Sequence, residues 1–350
     1  MDTQSGSKRQ VARWLFLGVF MIIIQVLIGG ITRLTESGLS ITEWKPITGV
    51  LPPLNEADWQ IEFDKYRTTD QFKYVHSNFN LSDFKFIFFW EWIHRVWARL
   101  LGVVFLAGFI YFLVRRKLTK NMIAPMVLLF LLGALQGLIG WVMVESGLVP
   151  EKFYVGHIEL TTHLIAALIL LAYTLWFALR LYYVGYEKVY DSALRNLLLC
   201  TLALFFIQLI YGGFMAGLKA AQTAPTWPDI NGYLLPPGMH EGSGFIDRIV
   251  NNKLAVHFIH RGIAYVLFGL ITWFFIASRN YKSNQLFNKS RVALIILTIV
   301  QIILGILTVM NATSSNALVL FGVLHQFTAM LIVINFVYLL YLLRRIKIAT

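Results

Sequence analysis

The chain has 350 residues, of which 57% are hydrophobic and only 14% charged, with a formal net charge of +12. A soluble domain of this length carries roughly a quarter charged residues, so the composition and a mean hydropathy of +0.66 exclude an ordinary soluble enzyme and indicate a polytopic membrane protein. The positive charge suits basic loops beside a membrane better than a nucleic-acid partner, and no nucleic acid is expected. The single cysteine, Cys200, allows no intramolecular disulfide and no multi-thiolate metal site.

In chain order, the opening "MDTQSGSKRQVARW" is short and polar and lacks the tripartite pattern of a signal peptide. Eight apolar runs then reach the ~20 residues needed to cross a bilayer. They lie at about 12–33, 86–114, 122–147, 155–180, 194–218, 254–278, 291–312 and 318–343. Basic residues gather on alternate connections: Lys8, Arg9 and Arg13; Arg115, Arg116, Lys117 and Lys120; Arg180, Lys188 and Arg195; Arg279, Lys282, Lys289 and Arg291; Arg344, Arg345 and Lys347. That alternation predicts both termini on the cytoplasmic side. The opposite face receives two long loops, about 34–85 and 219–253. The first is polar and aromatic, with Trp44, Trp59, Tyr66 and Tyr74, and is expected to fold as a cover rather than remain a linker.

The two halves repeat. "IQVLIGG" at 24–30 returns as "IQLIYGG" at 207–213, and Trp44 and Trp227 share the same offset of 183. "LPP" at 51–53 returns at 235–237, and "IHR" at 93–95 returns at 259–261. Each half has an even number of crossings, so parallel four-helix repeats are expected, one in residues 1–190 and one in 191–350. The fold class is therefore all-α: eight transmembrane helices as two tandem pseudo-symmetric four-helix bundles.

A finer pattern runs beneath. Each odd span carries Gln-x-x-x-Gly: Gln25/Gly29, Gln136/Gly140, Gln208/Gly212 and Gln301/Gly305. Each even span carries a histidine: His94, His163, His260 and His325. Glycines let a helix come close to a neighbour or a flat ligand. The histidines lie roughly five to nine residues inside the non-cytoplasmic ends of their spans, about 8–13 Å deep at the helical rise. A lone histidine at such depth often only hydrogen-bonds a carbonyl. Four at matching depth, one per even span, suggest ligands, because ionisable residues inside spans mark function.

Zinc wants three or four compact ligands, whereas two facing imidazoles beside glycines and aromatic walls suit a bis-imidazole haem. The expected pairs are His94 with His163 and His260 with His325. Glu91 stands three residues before His94, on the same helical face, whereas His257 stands three before His260. One site then holds a haem and passes electrons, and the other has an acid beside its macrocycle. Arg95 and Arg261 either pair with haem propionates or snorkel to the interface. His157 and His257 are read as interfacial, and His76 and His240 are assigned no role.

The stretches "GGITRLTESGLSITEWKPITGVLPPL", "EWIHRVWARLLG", "TTHL", "HFIHRG" and "LHQ" resemble the haem A synthase family, in its cysteine-poor branch of mitochondria and many Gram-negative bacteria. The resemblance covers nearly the whole chain. It implies an eight-helix tandem repeat that oxidises the C8 methyl of haem O to a formyl group in successive two-electron steps, making haem A for terminal oxidases. It implies His260 and His325 as ligands of a resident haem b, with His94 and His163 holding or facing haem O. Glu91 matches the glutamate required in the family's Glu-x-x-His motif, which implies a catalytic role with His94 and His163, Glu91 moving protons or fixing the reactive geometry. The expected partners are haem O, delivered by haem O synthase, membrane lipid, an unidentified electron donor or acceptor, and a second copy of the chain. The expected location is a bacterial inner membrane, with haem sites toward the non-cytoplasmic side. Two other classes fit parts of the pattern. A di-haem, quinol-linked electron carrier explains the four histidines but not Glu91, and a transporter explains the symmetry but leaves the histidines unused.

Overall fold

The computed structural model describes residues 3–43, 49–183 and 187–344, with only the backbone of residues 3–5. Trp44, Arg345 and Lys347, named above, lie outside the described residues. Among those described, eight helices are long and apolar enough to span a membrane. They are α1 (Thr3–Leu34), α4 (Leu81–Val114), α5 (Lys120–Glu145), α6 (His157–Tyr182), α7 (Ser192–Gly217), α10 (Lys253–Ala277), α11 (Gln285–Met310) and α12 (Ser315–Leu342). Four short helices occupy the two long loops: α2 (Glu56–Arg67) and α3 (Asp70–Tyr74) in the first, α8 (Ala220–Thr223) and α9 (Phe245–Asn251) in the second. One two-residue parallel ladder joins β1 (Val189–Tyr190) to β2 (Leu343–Arg344).

Polar residues set where the spans begin. The Asn80 side chain accepts from the Ser82 and Asp83 amides while Asp83 accepts from the Asn80 amide, a capping box that starts α4. Asp191, Asn252 and Asn284 cap α7, α10 and α11 in the same sense. Between these caps the side chains are apolar, and many large ones stay exposed, Val103, Leu131, Leu138 and Ile303 among them. Such faces are stable only against lipid, which supplies no backbone hydrogen bonds and so demands continuous helix.

The fold divides into two compact units, residues 1–19 with 168–350 and residues 20–167. In the first, α7 packs on α10 and α11 on α12, with further contacts of α10 to α11 and of α12 to α7. Ser290 and Asn335 clasp one another across α11 and α12, with the Asn335 amide donating to the Ser290 carbonyl at 3.0 Å. In the second unit the loop before α4 is a folded body. Phe63, Tyr66, Phe84, Ile87 and Phe88 are buried together, with Trp59, Phe72, Phe79 and Trp92 packed around them. The aromatic content of this loop therefore does build a cover, seated on the first turns of α4.

Candidate functional site

The Gln-x-x-x-Gly pattern and the histidines meet, one pair per helical hairpin. Gln25 Nε2 lies 3.2 Å from both ring nitrogens of His94 and donates to the His94 carbonyl at 3.2 Å. Gln136 stands in the same relation to His163, at 3.2 and 3.4 Å from the ring nitrogens and 3.1 Å from the carbonyl. Gln208 approaches His260 at 3.4 Å, and Gln301 approaches His325 at 3.1 Å. The glycine of each motif makes room for the ring. A Cβ on Gly29, Gly140, Gly212 or Gly305 would meet the histidine Cε1 at 3.0, 2.8, 3.5 or 3.0 Å respectively. The close approach thus admits the neighbouring imidazole.

His94 and His163 are in electrostatic range of each other, and so are His260 and His325. Among the described residues no three His, Cys, Asp or Glu side chains gather as a metal cage. A metal held by two imidazoles must then bring its other ligands with it, as an iron porphyrin does. Buried polar atoms also await partners: among the described residues, His260 Nδ1 and the Oε1 atoms of Gln25, Gln136, Gln208 and Gln301 have no hydrogen bond. The residues fit two haems.

Beside His94, Glu91 is 3% exposed and fully engaged. Its Oε2 accepts from Ser40 Oγ at 2.7 Å and from the Ile41 amide at 2.8 Å, and its Oε1 accepts from Arg95 at 2.5 Å. Arg95 continues to the carbonyls of Ile41 and Glu43, at 3.1 and 3.3 Å. In the other unit, Arg261 donates from Nε to His257 Nε2 at 2.9 Å. It also donates to the carbonyls of Thr226 and Asp229, at 2.5 and 2.7 Å. Both arginines therefore tie a long loop to the histidine-bearing helix. His257, read as interfacial rather than ligating, is completely buried and held by Arg261.

The family model COX15-CtaA, cytochrome oxidase assembly protein, matches residues 12–337. The chain belongs to this family. Within it, the chain is similar to proteins named heme A synthase. That of Novosphingobium aromaticivorans is 41% identical over 332 residues, covering 92% of each chain. Those of Flavobacterium psychrophilum and Flavobacterium johnsoniae are 39% and 37% identical, each covering 96% of this chain and 98% of its own.

Two features of this COX15-CtaA protein were not legible as functional from sequence. The glutamines that face the histidines were visible as a repeat, but their target was not. His76 was assigned nothing, yet it is buried in the cover. Its Nδ1 is 2.7 Å from the Tyr66 hydroxyl, its Nε2 is 3.2 Å from Glu36, and its ring stacks on Phe79 at 4.0 Å. The Tyr66 hydroxyl donates to Gln71 at 3.0 Å. Burial first, then the negative charges of Glu91 and Glu36, push the Tyr66 phenol well above its ordinary range, so it stays a neutral donor. Cys200 is free and exposed.

Proposed function

We propose that this protein is a haem A synthase, oxidising the C8 methyl of haem O to a formyl group in a bacterial plasma membrane. The observation that carries the reading is the twice-repeated pair of imidazole modules, with a carboxylate three residues before the histidine in one unit alone. A carrier or a transporter gives no reason for that inequality, and family membership favours the enzyme.

In this reading His94 and His163 hold the substrate haem O, and His260 and His325 hold a haem b. One-electron exchange is the chemistry a bis-imidazole haem supplies when bound there. Gln25 and Gln136 orient the substrate-side imidazoles, and Gly29 and Gly140 let those rings come close to the neighbouring helix. Glu91 acts by position. Its Oε2 accepts from Ser40 and Ile41 and its Oε1 belongs to the ion pair with Arg95, so both oxygens are committed to holding the loop. It clamps the cover over the histidine end of α4, which excludes water from the reacting methyl and holds the macrocycle in one pose. The basic loops favour haem sites toward the non-cytoplasmic side, with haem O reaching them through the bilayer from the enzyme that makes it.

Pyridine haemochrome analysis of the purified protein tests this reading. Wild type should yield haem b together with haem O or haem A. His260→Ala should lose the haem b, and His94→Ala should lose or disturb the substrate haem while retaining haem b. Haem b alone in every preparation would favour the carrier, and a colourless protein would end both readings.

A further inference from the structure

Where α6 and α12 finish, the chain folds back over their ends. The ladder of Val189 with Leu343 and Tyr190 with Arg344 brings Lys188 and Arg344 to one place. Lys188 Nζ lies 3.4 Å from the centroid of the Tyr341 ring. The Arg344 guanidinium is 5.6 Å from the same ring and 5.5 Å from that of Trp176. Arg180, near the end of α6, also reaches Tyr341 electrostatically. Arg195 supports the floor by donating to the Leu343 carbonyl at 2.7 Å.

Two cations thus face one aromatic ring with Arg180 within electrostatic reach of it, and nearby carboxylates do not answer them. Asp191 accepts from the Leu194 amide and from the Tyr281 hydroxyl, each at 2.9 Å. Glu187 points to solvent and makes no ion pair among the described residues. Lys188 Nζ is buried and has no hydrogen-bond acceptor among the described residues. Burial, and then Arg344, hold its ammonium down to about 8. Clustered, partly desolvated cations are unfavourable without an anion.

The cluster sits at the ends of two spans, with Trp176, Tyr183 and Tyr341 around it, which is the level of lipid headgroups. We infer that Arg344 and Arg180, backed by the buried ammonium of Lys188, bind the phosphate of an anionic phospholipid headgroup at the rim of this cluster. The site is separate from the histidine modules and does not rest on the haem reading. Basic pockets between span ends are suited to such headgroups, because the charge attraction adds to burial of the acyl chains along the apolar helices. The bound phosphate would hold the ladder closed and fix the connection before α7 to the end of α12.

The test is a lipid titration of the full chain in neutral detergent, read by thermal melting and by native mass spectrometry. Phosphatidylglycerol should raise the melting temperature and remain bound, while phosphatidylcholine and inorganic phosphate should do neither. Lys188→Met with Arg344→Gln should weaken the phosphatidylglycerol response at least tenfold. Lys282→Gln, on another basic loop, should leave it unchanged, and Lys188→Arg should preserve it. Lys188→Met alone keeps the aliphatic stem over Tyr341 and decides the matter by the same criterion if the double variant does not purify. An equal response to phosphatidylcholine, or an undiminished response in the variants, overturns the site. An equal response to inorganic phosphate overturns the lipid as its occupant.

Discussion

Arg261 donates from Nε to Nε2 of His257, one helical turn before it, at 2.9 Å. A guanidinium is always protonated, so the imidazole must accept, which places its own proton on Nδ1. Arg95 and Glu91 occupy the corresponding rung of the other unit as an ion pair. Each arginine also grips a loop carbonyl, that of Glu43 or that of Thr226, and these two positions share the 183-residue offset that relates Gln25 to Gln208. The two units therefore use one mechanical part with two chemistries, a carboxylate in one and a neutral imidazole in the other.

Glu91→Gln should unlock the cover. The amide can still accept from Ser40 and Ile41, but its nitrogen would face Arg95, donor to donor. Breaking one side of a buried ion pair costs about 3–5 kcal/mol. The yield of haem A per protein should fall at least tenfold with the haem b content unchanged, and amide hydrogen exchange at Ile41 should accelerate. Wild-type yield with undisturbed Ile41 protection would remove Glu91 from the mechanism.

The glycines should differ in tolerance in the order of their clearances. Gly140→Ala puts a methyl 2.8 Å from His163 Cε1, whereas Gly212→Ala puts one 3.5 Å from His260 Cε1, an ordinary contact. Overpacking of this kind costs about 1–3 kcal/mol. Gly140→Ala should lose substrate haem in a Soret titration while keeping haem b. Gly212→Ala should bind haem b as wild type does, and equal losses in the two variants would contradict the packing described.

Removing the Tyr66 hydroxyl should loosen the cover without touching the haem ligands. Tyr66→Phe leaves Gln71 and His76 each short of a buried partner, a cost of about 1–3 kcal/mol. Limited proteolysis between α2 and α4 should speed up, and haem content should not change.

The spans were readable from sequence because lipid enforces one rule along twenty residues. Each predicted span falls on an observed helix, and the polar caps Asn80 and Asp191 explain why α4 and α7 start a few residues earlier than their apolar runs. The Gln-x-x-x-Gly and histidine periodicities were equally plain, since both sit on regular helices. The loop chemistry was not. Ser40 and the Ile41 amide reach Glu91 from about fifty positions away, and Tyr66, His76 and Glu36 meet only once the cover has folded. No local spacing encodes such contacts.

Lys188 gives the protein a distinct alkaline response. Its folded-state ammonium titrates near 8, below the ordinary value for lysine of 10.5. Between those two values the unfolded chain binds more protons than the native one, so stability should rise with pH across that window. Below about 8 both states are charged and the penalty is fully present. Thermal melts of lipid-stripped protein should show this rise, and Lys188→Met should flatten it. Added phosphatidylglycerol should also flatten it, by stabilising the charged form.

The recurrence of glutamine, glycine and histidine across every successive pair of spans makes the two-helix hairpin the smallest self-similar piece of this molecule. Each hairpin carries its own receptacle for a ring, so an imidazole seat could be transplanted as a cassette of two helices. The four copies differ in what connects their helices, and those connections are where an engineer seeking a new pigment or a new substrate would begin.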